Sequence, residues 1–240
     1  MKTVHLNQLN VDTLKFAISP IDESFEDIKL WVFSEFEGAT IDIVDSIPLN
    51  IKAYFRGSNA TQHITQKLSF SISKKTYCNI VKYKNSSRVF IILVGLYQYQ
   101  DSTTINSFPE AQRVIEAFIN EYQYLEFTQV DICEDNASKF STVRAKLSLK
   151  KISDLPKRKC NLYKTNGVVT GIYLQDKGST MQKQYLIYDK TFKNDLDITV
   201  TRFELKYTKC FCVDNILDLE SNILRIKEEF KDFLYKIKNL

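Results

Sequence analysis

Apolar and polar residues alternate with a period of two along much of the chain, the spacing of strands with one face buried. The pattern predicts a strand over 11–19 (VDTLKFAIS), ended by Pro20, and a meander with strands at 49–55, 63–73 and 88–99. Turns fall at Gly57-Ser58-Asn59 and Asn85-Ser86-Ser87. The run 88–97 (RVFIILVGLY) is almost wholly apolar, which predicts a central strand covered on both faces. Further strands are predicted at 125–135, at 168–175 behind an Asn166-Gly167 turn, and as a hairpin of 184–190 with 198–207.

Three stretches change to helical spacing. Residues 24–36 place Ile28, Trp31, Val32 and Phe36 behind a Ser24 cap, and residues 107–122 carry a Ser107 cap, Pro109, Glu110 and a stripe of Val114, Ile115, Phe118 and Ile119. Residues 216–240 repeat Leu219, Ile223, Ile226, Phe230, Phe233, Leu234 and Ile237. Residues 136–150, polar and then basic, read as a solvated loop. The expected class is α+β: a strongly twisted, mainly antiparallel sheet with helices 24–36, 107–122 and 216–239 on its outer side, compatible with two similar βαββ-like halves. Only 6 Gly and 4 Pro leave little for linkers, so residues 1–240 are expected to form a single domain closed by the C-terminal covering helix.

Charge narrows the function only a little. With 33 Lys and Arg against 29 Asp and Glu, the net charge of +4 permits nucleic-acid binding without demanding it. The densest positive region is Lys150, Lys151, Lys157, Arg158 and Lys159, either a solvated loop or a phosphate-contacting one with salt-sensitive affinity. Lys74, Lys75, Lys82 and Lys84 lie among Tyr77 and Tyr83, the composition of a lysine-protected hairpin edge or of a single-strand grip. Five Cys without a C-x-x-C pair indicate neither a disulfide framework nor a zinc site, and no segment approaches the length of a membrane span, so a cytoplasmic location is expected. No ATP-binding loop of the G-x-x-x-x-G-K-[ST] type occurs.

Two strands carry charges in unusual rows. On 125–135, Asp131, Cys133 and Asp135 share one face; on 198–207, Arg202, Glu204 and Lys206 do. A row of opposite charges is commonly a solvated sheet face of little energetic value. Carboxylates withdrawn from water instead meet cations or hold a metal, and Mg²⁺ and Mn²⁺ take oxygen ligands of this kind.

The order of these stretches is similar to that of the replication-initiator (Rep) proteins of rolling-circle plasmids and filamentous phages. VDTLKF resembles their opening strand, and VDICED resembles a strand of their catalytic sheet, with Gln129 where the family often has Arg. Tyr188-Asp189-Lys190 followed by Arg202-Phe203-Glu204-Leu205 resembles their C-terminal signature, and Gly171 to Ser179 resembles their tyrosine segment with altered spacing. The resemblance implies a metal-dependent enzyme that nicks and rejoins DNA at a plasmid or phage origin through a 5′-phosphotyrosine intermediate. Tyr173 is its first candidate nucleophile, with Tyr188 and Tyr185 as alternatives. The only histidines are His5 and His63, so the histidine-hydrophobe-histidine metal motif is absent and the implied site is acidic: Asp131, Asp135 and Glu204, with Asp189, holding Mg²⁺ or Mn²⁺. Arg202 and Lys190 would hold the phosphate. The implied partners are a single-stranded or hairpin DNA origin, a host helicase and a polymerase, with the protein a monomer or homodimer. The rival expectation is a sequence-specific DNA-binding protein that does not cut, such as a replication regulator or recombination accessory.

Overall fold

The computed structural model describes residues 9–19, 25–35, 40–44, 64–72, 75–83, 86–99, 111–149, 158–176 and 182–238. In chain order the strands are β1 (Val11–Ile18), β2 (Thr40–Val44), β3 (Ile64–Ile72), β4 (Lys75–Tyr83), β5 (Val89–Leu93), β6 (Leu125–Asn136), β7 (Arg158–Thr165), β8 (Val168–Asp176), β9 (Lys183–Asp189), β10 (Thr201–Tyr207) and β11 (Phe211–Val213). The helices are α1 (Phe25–Glu35), α2 (Leu96–Tyr99), α3 (Ala111–Tyr122), α4 (Phe140–Leu149), α5 (Lys190–Asn194) and α6 (Ile216–Lys238). One antiparallel sheet runs in the order β2-β3-β4-β5-β1-β6-β10-β9-β8-β7, and β11 pairs with β6 beyond the end of β10.

This order contains a repeat. In the first half a strand (β1) and a helix (α1) precede a four-stranded meander (β2 to β5) whose last strand returns beside the first. In the second half β6, α4 and the meander β7 to β10 do the same. The halves meet where β1 pairs antiparallel with β6. Each repeat has two more strands than the expected βαββ unit, five in place of three, with β2, β4 and β7 the strands that the periodicity does not mark.

Helices α1, α3 and α6 gather on one face. Phe16 of β1 packs edge-on against Phe118 of α3 with ring centroids 5.2 Å apart, Trp31 of α1 meets the same ring at 4.7 Å, and Tyr185 of β9 stacks on Phe233 of α6 at 4.0 Å. Leu14, Ile132, Ile187 and Leu205 are wholly buried there. Each such side chain contributes about 1.5–3 kcal/mol through removal of apolar surface from water.

Several expectations change. Residues 136–150 are not a loop: Phe140–Leu149 forms α4, anchored by buried Phe140 and Leu147, whose spacing of seven is two helical turns with polar residues between. The predicted strand 88–99 ends at Leu93, because Gly95 adopts a left-handed φ of 70° and turns the chain into α2. Its burial alternates, with Phe90 and Ile92 only half-buried, so it is not covered equally on both faces. The Lys-rich segment around Tyr77 and Tyr83 is the interior strand β4, flanked by β3 and β5, not a hairpin edge. The Asn166-Gly167 turn holds, both residues having positive φ (50° and 80°), as a tight hairpin of this hand requires. The predicted strand 49–55 and the caps Ser24 and Ser107 lie outside the described residues. No helix among the described residues is long and apolar enough to cross a membrane.

Candidate functional site on the polar face of the second half

The face of the sheet opposite the helices is polar in the second half, and strand register fixes what meets there. β10 pairs with β6 so that Arg202 lies opposite Asp135, Glu204 opposite Cys133 and Lys206 opposite Asp131. β9 pairs with β10 so that Tyr188 lies opposite Arg202, and β8 places Gly171 opposite Tyr188 and Tyr173 opposite Leu186. Because side chains alternate, Asp131, Asp135, Arg202, Glu204, Tyr188 and Tyr173 share this face.

Arg202 is the anchor. It is 1% exposed, and its guanidinium makes a two-point contact with Asp135, Nε to Oδ1 at 2.7 Å and Nη2 to Oδ2 at 3.0 Å. Lys190 Nζ adds a third contact to Asp135 Oδ2 at 2.7 Å. Burial alone would raise the Asp135 carboxyl, but the hydrogen bonds and charges of Arg202 and Lys190 outweigh it and hold the group below its ordinary range. Arg202 Nη1 also reaches Asp12 Oδ1 at 3.2 Å, across the junction between the halves, and its guanidinium lies 5.4 Å from the Tyr97 ring centroid of α2. Asp12 sits at the bulge that shifts the β1 to β6 register between Val11 and Thr13.

Beside this compensated cluster stands an uncompensated one. Asp131 is 7% exposed; Gln129 Nε2 donates to its Oδ2 at 2.7 Å, while its Oδ1 is buried with no hydrogen-bond partner. Burial, then the charge of Glu204, push the Asp131 carboxyl well above its ordinary value, against the pull of Lys206 and Gln129. Glu204 is half-buried and is likewise raised by burial and by Asp12. Tyr188 Oη donates to Glu204 Oε2 at 3.0 Å. Burial and the Glu204 charge drive the Tyr188 phenol strongly upward, and Tyr173 is raised by burial, Glu204 and Tyr163. Lys193 holds its ammonium 4.4 Å from the Tyr188 ring centroid.

The remaining sequence candidates separate. Asp189 lies on the opposite alternation from Tyr188 and caps α5, its Oδ1 accepting from Phe192 N at 3.0 Å. Lys190 is buried in its pair with Asp135. Tyr185 faces the helices, under Phe233. Lys150, Lys151 and Lys157 lie outside the described residues; Arg158 and Lys159 open β7. Asp12 is the participant that the spacing did not nominate: its signal was an acidic residue on the alternation it shares with Leu14 and Phe16.

No family model matches this sequence. No curated protein matches it either. Among solved structures, the chain is similar to the rolling circle replication initiator protein from Geobacillus stearothermophilus, with a TM-score of 0.48 and 15% sequence identity, over 82% of this chain and 73% of that one.

Among the described residues no group of three or more His, Cys, Asp and Glu side chains stands in metal-holding geometry. The donor chemistry nevertheless suits a hard cation. Asp12, Asp131 and Glu204 offer carboxylate oxygens, the charges of Glu204 and Asp12 pushing Asp131 up and that of Asp12 pushing Glu204 up, and one Asp131 oxygen is buried and unpartnered. Asp135 does not suit it, since Arg202 and Lys190 occupy both its oxygens.

Proposed function

We propose that this chain is a replication-initiation protein that nicks and rejoins one DNA strand through a tyrosine. The observation that carries the reading is the hydrogen bond from Tyr188 Oη to Glu204 Oε2, formed beside the unpartnered oxygen of Asp131. A phenol aimed at a carboxylate of raised pKa is a nucleophile with its base in place. Tyr188 Oη attacks the phosphorus of a phosphodiester and passes its proton to Glu204. The bond from phosphorus to the 3′ oxygen breaks, the oxygen leaves as a 3′ hydroxyl after taking up a proton, and the 5′ phosphate stays on the tyrosine. The reverse attack by a 3′ hydroxyl rejoins the strand, for which a phenolate is a good leaving group.

Asp131 and Glu204, with Asp12, would hold Mg²⁺ or Mn²⁺, which when bound supplies charge neutralisation at the phosphate oxygens and offsets the negative field that keeps Tyr188 protonated. The chain's own contribution is positional. Arg202 ties β1, β6 and β10 together at the site through Asp12 and Asp135, and Lys193 places positive charge over the nucleophile's ring. The motif resemblance to rolling-circle initiators supports the same chemistry, but the geometry favours Tyr188 over Tyr173 as the nucleophile.

Incubation with single-stranded DNA from the chain's own replicon and Mn²⁺, followed by a denaturing gel and peptide mass spectrometry, tests the proposal. The expected result is an adduct on Tyr188 that is lost in Tyr188→Phe and Glu204→Gln. An adduct on Tyr173 would move the nucleophile one strand outward. DNA bound but never cut, with any divalent metal, would replace the nickase with a non-cutting origin-binding protein.

A further inference from the structure

Three tyrosines form a graded path from the sheet edge to the site. Tyr163 on edge strand β7 is 54% exposed, Tyr173 on β8 is half-buried, and Tyr188 on β9 is 8% exposed. Register places Tyr163 opposite Gly171, and Gly171 opposite Tyr188, so the first and last tyrosines are two strands apart, roughly 10 Å. The Tyr163 and Tyr173 rings have centroids 5.9 Å apart and are inclined at 50°, so they are not stacked face to face. Gly171 keeps the space between them open: a Cβ there would come within 3.3 Å of Tyr188 Cβ, 3.5 Å of Tyr163 Cβ and 3.6 Å of Tyr173 Cε2.

An aromatic ring left half in water beside polar neighbours is poorly explained by core packing. Asn161, two residues before Tyr163 and on its side of β7, and Lys164, which follows it, are exposed, and Lys193 lies over the inner end of the path. Aromatic faces flanked by positive charge, leading to a phosphate-attacking hydroxyl, suit an unpaired base whose phosphate continues inward. A base pair would present only its edge; a single-stranded base offers its face.

Resting on the nickase reading of the site, we propose that Tyr163 and Tyr173 form a stacking subsite for an unpaired nucleobase next to the phosphate attacked by Tyr188. The subsite selects single-stranded DNA and sets which side of the scissile phosphate must be unpaired.

The test uses the full chain and a mixed-sequence single-stranded DNA from its replicon, with the fluorescent base 2-aminopurine moved through successive positions. Stacking predicts one or two positions whose fluorescence is quenched on binding. It also predicts a loss of affinity of about 5- to 150-fold in Tyr163→Ala, and recovery in Tyr163→Phe, which keeps the ring. An abasic nucleotide at the quenched position should weaken wild-type binding by a similar factor and leave Tyr163→Ala little changed. Equal affinity of Tyr163→Ala and wild type overturns the subsite. If the variant instead changes oligomeric state in sedimentation with DNA affinity intact, the exposed edge is a contact between copies of this chain and the proposal falls. The covalent-adduct assay separates the two claims. An adduct without base-dependent affinity sinks the subsite and leaves the nickase, whereas base-dependent affinity without an adduct leaves the subsite on a protein that does not cut.

Discussion

The two halves of the sheet share one order of strands and differ in what they place on the face away from the helices. Around β1, β5 and β4 that face carries Ile92, Phe90, Asn79, Val81 and Tyr83, with Lys15 among them. Among the described residues its polar contacts include Ser69 to Asn79 at 2.8 Å and Lys15 to Tyr83 at 3.3 Å. Around β6, β10 and β9 the matching face carries Asp131, Asp135, Arg202, Glu204 and Tyr188. A backbone that satisfies all its ladder bonds leaves this face free to vary, so one copy of the repeat can hold an ionic site while the other stabilises the sheet. The division is not complete. Asp12 of β1 and Tyr97 of α2 reach across to Arg202, so the site needs both halves.

The largest effect that would sharpen this contrast is expected from Arg202→Ala. Removing the guanidinium leaves Asp135 with Lys190 alone and strips Asp12 of this contact, at a cost of about 3–5 kcal/mol in urea unfolding, typical of breaking a buried ion pair from one side. A loss under 1 kcal/mol would mean that the cluster is no more structural than a surface pair.

Asp131→Asn should act in the opposite direction on stability. The raised carboxyl binds its proton more tightly in the folded state than in the unfolded one, so its contribution is complete at low pH and declines as pH rises from the unfolded value through the folded one. Without divalent metal, Asn should flatten that decline and stabilise the protein by roughly 1–3 kcal/mol at neutral pH, while abolishing DNA cutting. Thermal melts against pH measure the first effect and the adduct assay the second. A variant that melts lower than wild type at neutral pH would show that Asp131 is stabilised by its surroundings.

Gly171→Ala should cost about 1 kcal/mol, because the new methyl meets Tyr188 Cβ at 3.3 Å and both atoms belong to paired strands that yield little. Adduct yield should fall further than stability does.

The smallest effect belongs to the first half. Burial and then Lys206 push the Lys15 ammonium down to about 8, so between there and its unfolded value the folded state binds fewer protons and stability rises with pH. Lys15→Met should remove that rise and lose no stability at neutral pH, as followed by urea titration at several pH values. A variant that is less stable at neutral pH would show that Lys15, too, belongs to a net favourable ionic network.

Most elements of this fold were legible along the chain, and for one reason: alternation and helical spacing are local. The strands at 11–19, 125–135 and 168–175 and the C-terminal helix emerge close to their predicted bounds. The misses are also physical. Among its described side chains α4 buries Phe140 and Leu147 strongly and no others, too sparse a stripe to stand out from its polar neighbours, and β7 exposes Leu162 and Tyr163, so its edge position hid its pattern. The candidate site was half legible. Alternation alone put Asp131 with Asp135 and Arg202 with Glu204, because the two-residue period fixes faces within a strand.

Which carboxylate is compensated and which is not depended on register between strands distant in sequence. Arg202 meets Asp135 67 residues away and Asp12 190 residues away, and Tyr188 rather than Tyr173 reaches Glu204. The sequence by itself determined the elements and the residues each presents on a given face. Only the tertiary structure decided that Asp135 is neutralised, that Asp131 keeps a buried oxygen unpartnered and that Tyr188 has a carboxylate beside its hydroxyl, since charge compensation is a matter of a few ångströms between chains of residues that no local period connects.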